Sequence, residues 1–321
     1  MTKQMISELT PDAPVSSCFA VLESELRPMS GKGGSYLHII FGDSSGTITA
    51  RMWENATENA AICSLGSAVA VAGLTTLYQD ELQVKVVSLR RALSGEYRES
   101  ELRPLRWQDP DSQRLALLAE LDEIRQTHLR DLLGSFFDQD GGFLESFMLA
   151  PAAVRIHHAY PGGLIDHTMA VVRLLKTTMQ EHPGLDRDLL VAGGLLHDLG
   201  KVETYLPQKL AYRVSDEGRL LDHVVLGERM VTARLAEIPA FPRELSLHLL
   251  HLILSHHGSK EFGSPIPPMT PEAIALHHCD YLDAQVQRFQ ETVRQCPPGQ
   301  RWTAYQPSLG HSLFIPQPSL D

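Results

Sequence analysis

Histidine and aspartate recur through the second half of the chain in an order suited to holding divalent metal. His167 stands in Gly162-Gly-Leu-Ile-Asp-His-Thr168, His197 and Asp198 in Gly193-Gly-Leu-Leu-His-Asp-Leu-Gly-Lys201, and His223 in Leu221-Asp-His-Val-Val-Leu-Gly227. Ser255-His-His-Gly258 adds His256 and His257, and Cys279-Asp-Tyr-Leu-Asp283 adds Asp280. Twelve of the 15 histidines fall between His157 and His278. A lone helical histidine is usually a surface or satisfied core group, so the weight lies on the combination. Neutral imidazoles with carboxylates suit first-row divalent ions, and two ions about 3.5–4 Å apart need a carboxylate to bridge them. Asp198 is the candidate bridge, with His167, His197 and Asp280 on one ion and His223, His256 and His257 on the other. A shell this rich in imidazole favours two ions of manganese first, with iron, cobalt or zinc as alternatives, over oxygen-loving magnesium.

Other polar groups lie close to these positions. Lys201 follows the His-Asp pair and could bring a cation to a phosphoryl group. His157 and His158 have two readings: contact with substrate, including a proton for a leaving oxygen at His158, or a structural role. His248 and His251 read as structural, His277 as a partner of a ligand, and Asp166, Asp222 and Asp283 as carboxylates on other faces, each either supporting a neighbouring ligand or lying at the surface. Gly193 and Gly194 would let the His-Asp helix approach its neighbours closely.

The elements that must position these groups are helical. Leu115, Leu118, Leu121, Ile124 and Leu129 recur at the spacing of one buried helix face, and further helices are expected at about 164–181, 188–199, 222–237, 242–255 and 271–295. Pro242 and Pro271 suit a first helical turn and Gly200 a C-terminal stop. Before them, from about Val15 to Arg91, short strands alternate with turns such as Asp43-Ser-Ser-Gly46. Five strands with a short helix between the third and fourth is the order of an OB-fold barrel. Tyr36 with His38, Arg51 with Trp53, and Gln83 with Lys85 alternate onto strand faces, and rings mixed with cations suit a single nucleic-acid strand. The competing reading is that Tyr36 and Trp53 fill core or rim. The expected organisation is an extension at 1–14, an all-β OB-like barrel at 15–91, a linker at 92–112, an all-α bundle at 113–296 and a tail at 297–321.

The H…HD…H…HH…D order resembles the HD-domain superfamily of metal-dependent phosphohydrolases. With a barrel in front and His157-His158-Ala-Tyr-Pro-Gly-Gly-Leu-Ile-Asp-His167-Thr at its start, the chain is similar to the YhaM-type 3′-5′ exoribonucleases from about residue 15 to 295. The resemblance implies metal ligands at His167, His197, Asp198, His223, His256 and Asp280, with His257 beside them, and a phosphate contact at Lys201. It implies hydrolysis of single-stranded RNA, with single-stranded DNA as a further substrate, to nucleoside 5′-monophosphates.

Composition bounds these expectations. The 321 residues are 43% hydrophobic and 21% charged, ordinary for two globular domains and unlike a disordered chain. A net charge of −11 argues against a broad basic coat, so affinity for a polyanion must be local, at the metals and the barrel face. Four widely spaced cysteines read as reduced thiols, and neither a signal peptide nor a long apolar span is evident, so a cytoplasmic protein without a membrane partner is expected, compatible with self-association. Three function classes follow: the exonuclease, a phosphohydrolase of nucleotides or cyclic nucleotides whose barrel serves assembly, and a binding module with a structural metal.

Overall fold

The computed structural model describes residues 3–29, 33–78, 81–103, 109–138, 142–153, 160–294, 296, 299–306 and 309–316. The chain divides into two compact units, residues 1–105 with 207–213 and 289–321, and residues 106–206 with 214–288. His157 and His158 lie outside the described residues.

The first unit is a closed five-stranded barrel. Strands β1 (Pro14–Pro28), β2 (Ser35–Asp43), β3 (Gly46–Met52), β4 (Ala68–Tyr78) and β5 (Glu81–Arg91) pair in the order β1-β2-β3-β5-β4, and β1 closes on β4. Only β3 and β5 run parallel; a short helix, α1 (Ala56–Ala60), lies between β3 and β4 in the chain. Alternation explains closure: Phe19, Val21, Leu37, Ile39, Phe41, Ala50, Met52, Val69 and Val84 all point inward and are buried. The β2–β3 turn is tightened by Asp43, whose carboxylate accepts from the Ser45 backbone N–H at 2.7 Å and from Ile6 N–H at 2.8 Å. A wholly buried aspartate is thus kept satisfied by three donors, the Ser45 hydroxyl being the third.

The second unit is built mainly from helices. A one-turn α2 (Glu99–Leu102) belongs to the first unit; then follow α3 (Pro110–Glu123), α4 (Thr127–Phe137), α5 (Phe143–Leu149), α6 (Gly163–Glu181), α7 (Arg187–Leu196) and α8 (Lys201–Thr204). A two-stranded hairpin, β6 (Tyr205–Gln208) and β7 (Ala211–Val214), whose residues 207–213 belong to the first unit, precedes α9 (Asp216–Glu237), α10 (Arg243–Ser255) and α11 (Pro271–Arg294), the last passing into the first unit at residue 289. One continuous apolar core includes Leu133, Phe147, Leu164, Val172, Leu190, Leu252 and Leu276. Each such side chain contributes about 1.5–3 kcal/mol when fully buried. Helix starts follow their caps: Asp109 accepts from Ser112 N–H, Asp186 from Leu189 N–H and Ser215 Oγ from Gly218 N–H.

Three expectations need correction. Leu115 is 67% exposed, and the buried face of α3 runs through Gln113 and Leu117 instead. The periodic leucines belong to two helices, because the Arg125 and Gln126 N–H groups turn out to Asp188 and the Gln126 side chain caps α4. Gly200 does not stop a helix by a left-handed turn; its φ is −63° and it begins α8.

Candidate metal centre

Helix ends place the central donors. α7 ends at Leu196, and the next residue, His197, turns its Nδ1–H back to the Gly194 carbonyl at 2.8 Å. α10 ends in the same way: His256 Nδ1–H donates to the Ile253 carbonyl at 2.6 Å. Each ring therefore satisfies a carbonyl that the helix leaves unpaired and turns its Nε2 into the cluster, where His197 Nε2 lies 3.3 Å from His167 Nε2. Three other histidines are held by the same device. His257 donates from Nδ1 to the Phe262 carbonyl at 2.8 Å, His167 Nδ1 meets Asp283 Oδ2 at 2.7 Å, and His223 Nδ1 meets Asp222 Oδ1 at 2.7 Å. An imidazole pinned at one nitrogen presents the other, which is how ligating histidines are oriented.

The presented atoms converge on Asp198. Its Oδ2 lies 3.5 Å from His167 Nε2 and 3.4 Å from His197 Nε2, while Asp280 Oδ1 lies 3.1 Å from His167 Nε2. Its Oδ1 lies 3.3 Å from His223 Nε2 and 3.7 Å from His256 Nε2. Two donor groups result, one of His167, His197 and Asp280, the other of Asp198, His223, His256 and His257, each with its atoms within 4.8 Å of one another. The chemistry of the set fits divalent ions. Asp198 Oδ1, His223 Nε2 and His256 Nε2 are buried and lack a hydrogen-bond partner, although they crowd together. Three unpaired lone pairs aimed at one space are costly unless a cation fills it. This cluster could hold divalent ions.

Electrostatics point the same way. Burial would raise the Asp198 carboxyl, but Lys201 and His197 hold it well below the usual carboxylate range. Lys201 Nζ sits 2.5 Å from Asp198 Oδ2, a buried ammonium beside the central carboxylate. Burial, with His257 and His197 nearby, pushes His256 far down, and burial with His223 lowers His257; both are neutral imidazoles near pH 7. Burial disfavours charge on His167 too, but Asp280 and Asp283 more than offset it and hold the ring at about 10.

Close backbone approach makes this convergence geometrically accessible. A Cβ on Gly193 would stand 2.4 Å from the Leu252 side chain, and one on Gly200 only 2.0 Å from the His223 carbonyl oxygen. Asp222, immediately before His223, has φ 67° and ψ 155°, a region almost reserved for glycine, where it kinks α9. Spacing left Asp222 and Asp283 as carboxylates that either support a ligand or lie at the surface, and both grip a ligand-type histidine. Their signal was adjacency to a donor on a helix, which does not reveal which face the kink or the neighbouring helix exposes. Asp166 instead bonds Gln113 and the Tyr160 hydroxyl. His277 donates from Nδ1 to the His256 carbonyl, and His251 accepts from Met269 N–H in a structural contact.

On the barrel, the expected aromatic and cationic residues share an outer face. Tyr36 stacks on Trp53 at 4.6 Å, His38 pairs in register with Arg51, and Arg51 pairs in turn with Lys85 on β5. Arg51 also lies over the Tyr78 ring at 4.6 Å, a contact that strand spacing did not suggest. Gln83, expected beside Lys85, is buried. Trp53 and Tyr78 remain 41% and 48% exposed, so the core reading fails for the tryptophan and rings remain open to a ligand.

Comparison with known proteins agrees with this geometry. The HD domain family matches residues 164–285, which span every donor of the cluster. The 3′-5′ exoribonuclease YhaM of Geobacillus sp. (strain WCH70) is 32% identical over 289 residues, covering 88% of this chain and 86% of the relative. The chain belongs to the YhaM family of 3′-5′ exoribonucleases. The family's Bacillus subtilis (strain 168) member is 31% identical over 290 residues, 88% of each chain. Among solved structures, the second OB-fold domain of replication protein A from Methanococcus maripaludis is similar to 29% of this chain and 98% of its own, at 17% identity and a TM-score of 0.25. Among the described residues no helix is long and apolar enough to cross a membrane.

Proposed function

We propose that this chain is a metal-dependent 3′-5′ exoribonuclease that removes nucleoside 5′-monophosphates from single-stranded RNA, with single-stranded DNA as a further substrate. The observation that carries the reading is Asp198, whose two oxygens face two separate groups of buried donors in a member of this family. His167, His197 and Asp280 would hold one divalent ion and His223, His256 and His257 the other, with Asp198 shared. Bound there, two ions supply a water of lowered pKa and charge for the non-bridging phosphate oxygens. The imidazole-rich donor set favours manganese over magnesium.

The chain's own residues do the rest. Asp222, Asp283 and the helix-end carbonyls keep every Nε2 aimed inward, so no ring must reorient when substrate arrives. Lys201, an ammonium bonded to Asp198 at the cluster, would meet the reacting phosphate. Tyr36, Trp53, Arg51, His38 and Lys85 form a face on which a single strand could stack and pair its phosphates. The four thiols, Cys18, Cys63, Cys279 and Cys296, are free, which suits a reducing compartment such as the cytoplasm.

Digestion with manganese of single-stranded RNA with a free or blocked 3′ end, beside DNA, mononucleotides and cyclic dinucleotides, tests the reading. Stepwise shortening of the free 3′ end alone is expected. Turnover of only the small substrates would overturn it. Asp198→Ala should remove bound manganese and activity together while circular dichroism stays unchanged; retained activity would reject the shared-ligand role.

A further inference from the structure

Of the seven donors, only Asp280 and His257 are partly exposed; the other five are buried. A phosphodiester must therefore approach from the side these two residues occupy. Each is joined to an exposed aromatic ring. Tyr281 follows Asp280 on α11 and is 46% exposed. Phe262, 64% exposed, ends the short 3-10 turn Lys260–Phe262, and its carbonyl accepts the His257 Nδ1–H. The two rings lie 6.4 Å apart at 39°. Tyr281 also lies 6.2 Å from the His277 ring, whose Nδ1–H is bonded to the His256 carbonyl. The pair is thus fastened to the metal cluster at both ends, through His257 and through His277 to His256. Gly258 is required for this closeness, since with φ 80° it has no Cβ to strike the His277 ring 2.2 Å away. Large exposed rings fastened in this way beside the accessible donors offer π-faces to a planar partner.

We infer that Phe262 and Tyr281 form a stacking platform for the base of the 3′-terminal nucleotide, positioning the last phosphodiester at the metals. This rests on the exoribonuclease reading. Stacking is tolerant of base identity, because every base has a π-face, so the platform would hold any sequence and would discriminate a base from its absence.

The test compares, with manganese, a short single-stranded RNA ending in an ordinary 3′ nucleotide with the same strand ending in an abasic one. The wild-type protein should show a KM roughly 5- to 150-fold higher for the abasic end, the range expected for one stacked base. Phe262→Leu and Tyr281→Leu keep apolar bulk without a ring; each should raise KM for the ordinary end and leave the abasic KM unchanged, while Tyr281→Phe stays near wild type. A 3′-terminal 2-aminopurine behind a phosphorothioate should lose fluorescence on binding wild type and keep it with the double Leu variant. Equal losses on both substrates, or a wild type indifferent to the terminal base while digesting RNA, would overturn the platform alone. A wild type that does not digest RNA from the 3′ end would overturn the exoribonuclease reading and the platform with it.

Discussion

Gly200→Ala isolates the role of close helix approach. The backbone there is ordinary right-handed helix, so alanine meets no conformational penalty and the effect is steric. The added Cβ would lie 2.0 Å from the His223 carbonyl oxygen and 2.5 Å from the Gly227 nitrogen, both backbone atoms that cannot rotate aside. Reaching ordinary contact at 3.4 Å or more forces the two segments apart by over 1 Å. Overpacking of this kind costs about 1–3 kcal/mol, and at this N-cap position alanine brings no offsetting helix propensity. The loss corresponds to a fall in Tm of about 2–12 °C. The displaced residue is His223, so its group separates from Asp198 Oδ1 while His167, His197 and Asp280 keep their places. A misplacement of about 1 Å at a catalytic centre costs on the order of 100-fold in rate. Thermal melts, manganese stoichiometry and RNA digestion read all three effects. The expected outcome is a folded protein that binds fewer than two ions and digests RNA roughly 100-fold more slowly. Two ions bound at wild-type affinity with full activity would refute the argument that this glycine sets the spacing.

Other consequences follow from the same contacts. Asp283→Asn weakens the hold on the His167 ring and should lower manganese affinity about 10- to 100-fold by calorimetry; unchanged affinity would mean that Asp280 alone orients the ring. Because His167 is held at about 10, it carries a proton at pH 8 that metal must displace. Metal uptake should therefore release protons, seen as a buffer-dependent calorimetric heat, and none would contradict the charged ring. In the metal-free protein, the stability from this raised group is complete below about 6.5 and fades as pH rises through about 10. Melts of metal-free protein across that window should show the decline, and a flat profile would refute it. On the barrel, Arg51→Ala with Trp53→Ala should raise KM for long strands roughly 5- to 150-fold, about 1–3 kcal/mol for one lost stacked base, and spare dinucleotides; equal effects would reject the barrel's grip.

Residue order alone named the candidate donors, because ligand chemistry belongs to side-chain type: His167, His197, Asp198, His223, His256, His257 and Asp280 can be proposed without coordinates. It also determined the barrel, since alternation about Leu37, Ile39, Ala50 and Met52 admits one inward face. Helix spacing did not reveal that Asp222 and Asp283 steer His223 and His167, because a kink at φ 67° and a contact across 116 residues are invisible to local periodicity. Nor did it show which nitrogen each ring presents. That depends on carbonyls left unpaired where α7 and α10 end, which only the folded backbone brings to the Nδ1 atoms. The glycine after the His-Asp pair looked like a helix stop, and packing made it a point of contact with His223. Side-chain chemistry thus declared what the site could bind, while tertiary structure decided which lone pairs face inward, which oxygen of Asp198 serves each group, and which side stays open to substrate.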